Sequence, residues 1–155
     1  MKFIVFIFCI INPVNAILAQ SKAQHMDVPN DSVNRCIEKI SWLSLVNIYT
    51  YGSRLSIDSN AQKLVEAETP GILHQLYDRL CDKEKAIVLH MILTKRLEKI
   101  KAPISPSYSL DGKLTKYEYN GAKWQFNSAT QQYSISNDEV EKLKKYWRKK
   151  IYNKD

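Results

Sequence analysis

The sequence contains little glycine and no glycine-rich phosphate loop. Its four glycines, Gly52, Gly71, Gly112 and Gly121, are far apart, so the loops that cradle nucleotide phosphates are not indicated. No Gly-x-Ser-x-Gly segment occurs either, which excludes the usual serine turn of α/β-hydrolases. Two large classes of enzyme are therefore made less plausible before any residue is singled out.

Histidine and cysteine are also scarce, and their spacing matches no zinc pattern. His74, Cys81 and His90 are seven and nine residues apart, on predicted helices whose neighbouring residues form apolar stripes. We therefore predict no metal site and no bound cofactor. A nucleophilic Cys81 beside either histidine is disfavoured, because an exported thiol with a second cysteine available forms a disulfide more readily.

No apolar run near the start is long enough to cross a bilayer, which needs about 20 residues. The run at positions 3–11 follows Lys2 and precedes Pro13, and Val14-Asn15-Ala16 places small residues before a cut after Ala16. This order is typical of a secretory signal peptide. We predict a signal at residues 1–16, an exported periplasmic or extracellular mature chain, and no transmembrane segment after processing.

Acidic residues are outnumbered by basic ones. Removal of residues 1–16 from the 155-residue chain leaves 139 residues, with 22 Lys and Arg against 16 Asp and Glu, a net charge of +6. This length predicts one domain. A basic surface favours an unknown acidic protein or an anionic envelope component as partner, although excess lysine also serves solubility. Export makes a nucleic-acid partner implausible, and none is predicted.

Only two cysteines, Cys36 and Cys81, follow the predicted cleavage site. An even pair in an oxidising compartment predicts a disulfide between them. The alternative is a pair of buried free thiols, which the small apolar side chain of cysteine permits.

Helical periodicity follows a polar leader, residues 17–30, and continues to position 101. Helix starts are predicted at Asp31 or Ser32, and at Ser59, Thr69 and Asp82, each a residue that can cap free backbone amides. The first of these helices is predicted to extend to Gly52. Short connections between helices favour antiparallel neighbours. The sequence therefore predicts an N-terminal antiparallel bundle of about four helices.

The pattern changes to a period of two after a proline-containing loop at 103–109. Asn120-Gly121 is a strong hairpin signal, because both residues tolerate the positive φ angles of a type I′ turn. A third strand at 133–135 completes a predicted three-stranded antiparallel meander. Ser136 and Glu139 then form a capping box for a C-terminal amphipathic helix. The predicted class is α+β: one domain at 31–155, with a helical lobe at 31–101 and a meander-plus-helix lobe at 110–152.

The C-terminal helix has an apolar stripe of Val140, Leu143, Trp147 and Ile151 opposite a row of basic residues. Two interpretations compete. The stripe packs on the aromatic residues of the meander, or the basic and aromatic residues bind an anionic membrane. The interaction candidates are Trp124, Lys144, Lys145, Trp147, Arg148 and Lys149.

The function predicted from these features is that of an exported, non-catalytic interaction protein. A periplasmic immunity protein or inhibitor that binds another protein fits the size and the export signal. One alternative is a small secreted hydrolase assembled from distant residues, with His74, Asp82, His90 and Glu98 as its candidates. A second alternative is a module that binds an anionic surface. No catalytic residue is predicted for the preferred function.

Overall fold

The computed structural model of the protein describes residues 30–49, 53–100, 104 and 106–152. The predicted signal and, except for Asn30, the predicted leader lie outside these residues. The α-helices are α1 (Asn30–Lys39), α2 (Ser59–Glu66), α3 (Ile72–Asp78), α4 (Lys83–Leu93) and α5 (Asn137–Tyr152). The strands are β1 (Leu45–Tyr49), β2 (Ser53–Ile57), β3 (Pro106–Tyr108), β4 (Leu114–Tyr119), β5 (Ala122–Asn127) and β6 (Gln132–Ser134). None of the helices in this part of the chain is long and apolar enough to cross a membrane.

The fold is α+β, but the predicted four-helix bundle is wrong, because a β-hairpin interrupts the helices. α1 ends at Lys39, a 3₁₀ turn follows at Trp42–Ser44, and β1 then pairs antiparallel with β2. The segment LVNIY of β1 is rich in β-branched and aromatic residues, which favour strands. In β2, Leu55 and Ile57 alternate with polar residues and are buried. The apolar residues before position 50 also fit the spacing of a helix, so the change from a helical period to the period of two of a strand was not recognised.

The predicted three-stranded meander is also wrong, because the second sheet has four antiparallel strands in the order β3-β4-β5-β6. The added strand, β3, lies in the segment that was predicted to be a loop. Pro106 is tolerated there because it begins the strand. The predicted hairpin between β4 and β5 is present, and Asn120 and Gly121 have φ angles of 47° and 78°. Ahead of β3, Ile104 forms an isolated bridge with β2, in which the Leu55 N–H donates to the Ile104 carbonyl oxygen over 3.2 Å.

Capping side chains determine where several helices begin. The predicted cap at Asp82 is confirmed, since its carboxylate accepts the Glu84 N–H at the start of α4. Asp58 rather than Ser59 caps α2, and Gly71, with a φ angle of 77°, precedes α3. Ser136 caps α5 by accepting the Glu139 N–H, but the Glu139 carboxylate instead accepts the Lys123 N–H of β5. The capping box is therefore half formed, and its second member joins α5 to the sheet.

The buried apolar side chains of both sheets and all five helices form one cluster. α4 lies at its centre, with every residue from Lys85 to Thr94 buried. The predicted stripe of α5 is confirmed, because Val140, Leu143, Trp147 and Ile151 are all buried. The sheet contributes Tyr117, Tyr119 and Trp124 to the same cluster.

The Arg96 side chain caps the C-terminal end of α2, although it is about 30 residues away in sequence. It lies in a π-helical turn, Thr94–Glu98, that follows α4. Its Nη1 donates to the carbonyl oxygens of Leu64 and Val65, both at 2.7 Å. The last carbonyls of a helix lack partners within the helix, so this guanidinium replaces water at a partly buried helix end.

Replacement of Arg96 by methionine is expected to lower the free energy of unfolding by about 2 kcal/mol, because it removes charge-assisted hydrogen bonds while keeping most of the side-chain volume. Urea denaturation measures the effect. The matched control is Lys95→Met in the same turn, since Lys95 has no hydrogen bond or ion pair with the other described residues. Equal losses in the two variants would show that the contacts of Arg96 with α2 contribute nothing.

Candidate functional site

His90 lies at the centre of the protein with no exposed surface. Its Nδ1 accepts a hydrogen bond from the Trp147 indole Nε1 at 3.0 Å, and its Nε2 lies 2.9 Å from the Tyr119 carbonyl oxygen. An indole N–H can only donate, so Nδ1 is unprotonated and Nε2 carries the proton that it donates to Tyr119. The imidazole thus connects α4 with α5 and with the end of β4.

The environment of His90 keeps the ring neutral. Burial lowers the pKa of His90 to about 4, although the bond to the Tyr119 carbonyl and the charge of Glu98 act in the opposite direction. Both ring nitrogens are bonded inside the fold, so neither is available to a substrate. His90 therefore serves as a structural group inside the core.

The other hydrolase candidates are engaged at different places. His74 is exposed on α3 and contacts the Tyr152 ring edge-on, with 4.8 Å between ring centroids. Asp82 caps α4. Glu98 lies in the π-helical turn and bonds α5. Within the described ranges, no group of three or more His, Cys, Asp or Glu side chains is close enough to hold a metal ion.

Glu98 joins the π-helical turn to α5. It accepts hydrogen bonds from the Tyr146 hydroxyl and from Lys150, whose Nζ lies 3.2 Å away. Burial alone raises the pKa of Glu98, but bonds from Tyr146, Lys150 and Asn120, with the charge of Lys150, outweigh it and lower the pKa. The carboxylate therefore stays ionised and helps to fix α5 in place.

The predicted disulfide between Cys36 and Cys81 is not present, since the two thiols are free and not at bonding distance. Cys36 is partly buried on α1. Cys81 is exposed in the turn before α4, where its thiol donates to the Asp78 carbonyl. The prediction failed because two cysteines in one compartment bond only if the fold brings their Cα atoms within about 7 Å.

Basic residues on α5 fall into two groups, and the first group is paired with carboxylates. Lys142 contacts Glu139 at 2.6 Å and Lys144 contacts Glu141 at 3.1 Å. Lys150 contacts Glu98, as described above. These three cations therefore form ion pairs with carboxylates of the same protein.

The second group, Lys145, Arg148 and Lys149, is exposed and makes no hydrogen bond or ion pair with any other residue that the structure describes. Spacings of three and four place the three cations on one side of the helix. Tyr152, seven residues after Lys145, continues this row and is 49% exposed. We call Lys145, Arg148 and Lys149 the free basic face.

The structure divides the six predicted interaction candidates. Trp124 and Trp147 are 4% and 0% exposed, so their side chains belong to the core. Lys144 is paired, which leaves Lys145, Arg148 and Lys149 as candidates with unused charge. Tyr152 belongs to the aromatic residues interleaved with these basic residues in the sequence, and its spacing of seven from Lys145 places it beside the free basic face.

A second surface feature is an open depression of about 790 Å³ on the outer side of the β3–β6 sheet. Its lining includes Ser107, Lys116, Gln125 and Ser134 from the strands. Lys123 and Glu118, which also line it, lie 3.6 Å apart across the β4–β5 pair. Charges of both signs are mixed there, so this depression favours no one class of ligand.

Comparison with known proteins finds no matching family model, and neither a curated protein nor a solved structure matches the chain significantly.

Proposed function

We propose that the protein is an exported, non-catalytic interaction protein that binds another protein through α5. The observation that carries this proposal is the free basic face: three exposed cations, unpaired among the described residues, on a helix whose other side is fixed in the core. A row of unused charge on a rigid element is suited to recognition, because charge complementarity selects a partner and speeds association.

The arrangement around His90 supports a binding role rather than the hydrolase alternative. A general acid or base must reach the proton that it transfers, within hydrogen-bond distance of the substrate. His90 is buried, and its two nitrogens are bonded to Trp147 and to the Tyr119 carbonyl. A role as an immunity protein or inhibitor requires only that α5 docks on an enzyme and covers it.

The anionic-surface alternative is less well supported by α5. A membrane-bound amphipathic helix inserts its apolar side into the bilayer. Here that side consists of Val140, Leu143, Trp147 and Ile151, all buried within the protein. Three free cations alone contribute only about 1 kcal/mol each near an anionic membrane.

Purification of the mature protein from its source at low salt is expected to recover a partner protein in stoichiometric amounts. High salt is expected to release that partner, because added salt shortens the Debye length from about 10 Å at 0.1 M to about 3 Å at 1 M and so weakens the attraction between exposed charges. Mass spectrometry and quantitative gel densitometry at both salt concentrations measure the outcome. Recovery of no stoichiometric protein at low salt would contradict the proposed function.

Export is tested on the same material by sequencing the N-terminus of the mature protein. Cleavage after Ala16 predicts a first residue of Ile17. A mature chain that begins at Met1 would contradict export while leaving the binding proposal open to the first experiment.

A further inference from the structure

We infer that the partner docks an acidic segment on a composite surface, in which the free basic face of α5 lies beside an aromatic cluster shared with α3. This inference rests on the proposed function and names the chemistry of the partner. The aromatic cluster consists of Tyr152 on α5 and of His74 and Tyr77 on α3.

Ring contacts fix the geometry of the aromatic cluster. The Tyr152 ring lies edge-on to His74 and to Tyr77, with centroids 4.8 Å and 5.4 Å apart and interplanar angles of 76° and 74°. Edge-to-face packing is a favourable arrangement of aromatic rings. Tyr152 is nevertheless 49% exposed, and His74 is exposed. The cluster thus holds an aromatic ring in a defined orientation at the protein surface.

Charge is distributed unevenly across this composite surface. Burial and the charges of Asp78 and Tyr77 raise the pKa of Tyr152, whereas Arg148 acts in the opposite direction. Asp78 on α3 and Arg148 on α5 are therefore both close enough to Tyr152 to influence its pKa, in opposite directions. An acidic segment is complementary in charge to the free basic face of α5.

The residue types on this surface favour a protein partner over a bilayer. Tyrosine and arginine are the residues most enriched, with tryptophan, among those that dominate protein–protein binding energy. Tyr152 and Arg148 supply both types one helical turn apart. Insertion into a bilayer requires an exposed apolar side of the helix, and the apolar side of α5 is buried.

The probe is a fluorescently labelled, glutamate-rich helical peptide, and anisotropy at low salt measures its affinity for the mature protein. The variant Lys145→Gln/Arg148→Gln/Lys149→Gln is expected to bind about tenfold more weakly, from roughly 0.5 kcal/mol for each exposed ion pair. Tyr152→Ala is expected to weaken binding about fivefold, as loss of an interface tyrosine commonly does.

The matched control is Lys39→Gln/Lys63→Gln/Lys113→Gln, three exposed lysines on α1, on α2 and in the turn before β4. This control changes the net charge by the same amount, so an affinity within about twofold of the unsubstituted protein is expected if position decides binding. Equal weakening by both triple variants would overturn the composite surface, because binding would then follow net charge alone. Circular dichroism confirms that each variant is folded.

A second arm uses vesicles of phosphatidylglycerol and phosphatidylcholine in equal parts. Binding to vesicles without binding to the peptide would overturn the inference in favour of a membrane surface. Recovery of a stoichiometric protein whose retention is unaffected by the α5 triple variant would also overturn it, together with the assignment of binding to α5, yet would leave intact the proposal of an exported protein that binds another protein. Failure to recover any protein defeats the proposed function itself, so the two failures are distinguishable.

Discussion

Replacement of Trp147 by alanine is expected to lower the free energy of unfolding by about 4 kcal/mol, the loss typical of a fully buried tryptophan. The indole has no exposed surface and lies where α5 meets α4. The substitution leaves a cavity at the centre of the core and removes the donor to His90. Urea denaturation followed by circular dichroism measures the change. A loss below about 1 kcal/mol would contradict the central position of Trp147 in the core.

The substitution Trp147→Phe distinguishes the contribution of the hydrogen bond to His90 from that of the packing of the aromatic ring. Trp147→Phe keeps an aromatic ring but leaves His90 Nδ1 buried without its donor, which is expected to cost about 2 kcal/mol. Trp124→Phe is the matched control, because the Trp124 indole nitrogen is buried and has no hydrogen-bond partner among the residues that the structure describes. The control should lose less stability than Trp147→Phe. Equal losses would show that the bond to His90 contributes nothing beyond packing.

Acid is expected to destabilise the protein through His90 before its carboxylates are protonated. The pKa of His90 is about 4 in the folded protein and 6.5 as the reference value for the unfolded chain. Because the folded-state pKa is lower, the unfolded chain binds a proton that the folded protein does not. The contribution is fully present above pH 6.5 and falls between pH 6.5 and 4, by roughly 3 kcal/mol in total.

The measurement is a series of urea denaturations between pH 7 and pH 5, where most carboxylates are ionised in both states. The unsubstituted protein is expected to lose about 1 kcal/mol per pH unit below pH 6.5. His90→Gln should be less stable at pH 7 but lose less with acid, and His74→Gln is the control that keeps the full dependence. A dependence that persists unchanged in His90→Gln would contradict the assignment.

Local features of the fold were predictable where neighbouring residues determine the structure. The stripe of α5 extends over about three turns, and the Asn120-Gly121 turn depends on two φ angles that few other residues tolerate. The β1–β2 hairpin was not predictable by periodicity, because short apolar runs fit a helix and a strand equally well. β3 is defined by its pairing with β4, and its three residues are too few to show a pattern that predicts a strand.

The candidate site was predictable in part for the same reason. Lys142 and Lys144 have their glutamates three residues before them on the same helix, so these pairs can be read from sequence. The pairing of Lys150 with Glu98 depends on the fold, as does the bond between Trp147 and His90, which are 57 positions apart. Sequence therefore identifies the basic helix and two of its ion pairs, whereas the tertiary contact with Glu98 is needed to separate Lys150 from the unpaired cations.

The attachment of α5 at several points affects the entropy of binding. Glu139 holds its first turn to β5, Trp147 holds its middle to His90, and Glu98 binds Tyr146 and Lys150. A partner that docks on the free basic face therefore meets a helix that is already ordered. Binding has to immobilise only a few long side chains, at about 0.5–1.5 kcal/mol each, and pays nothing for folding the backbone beneath them.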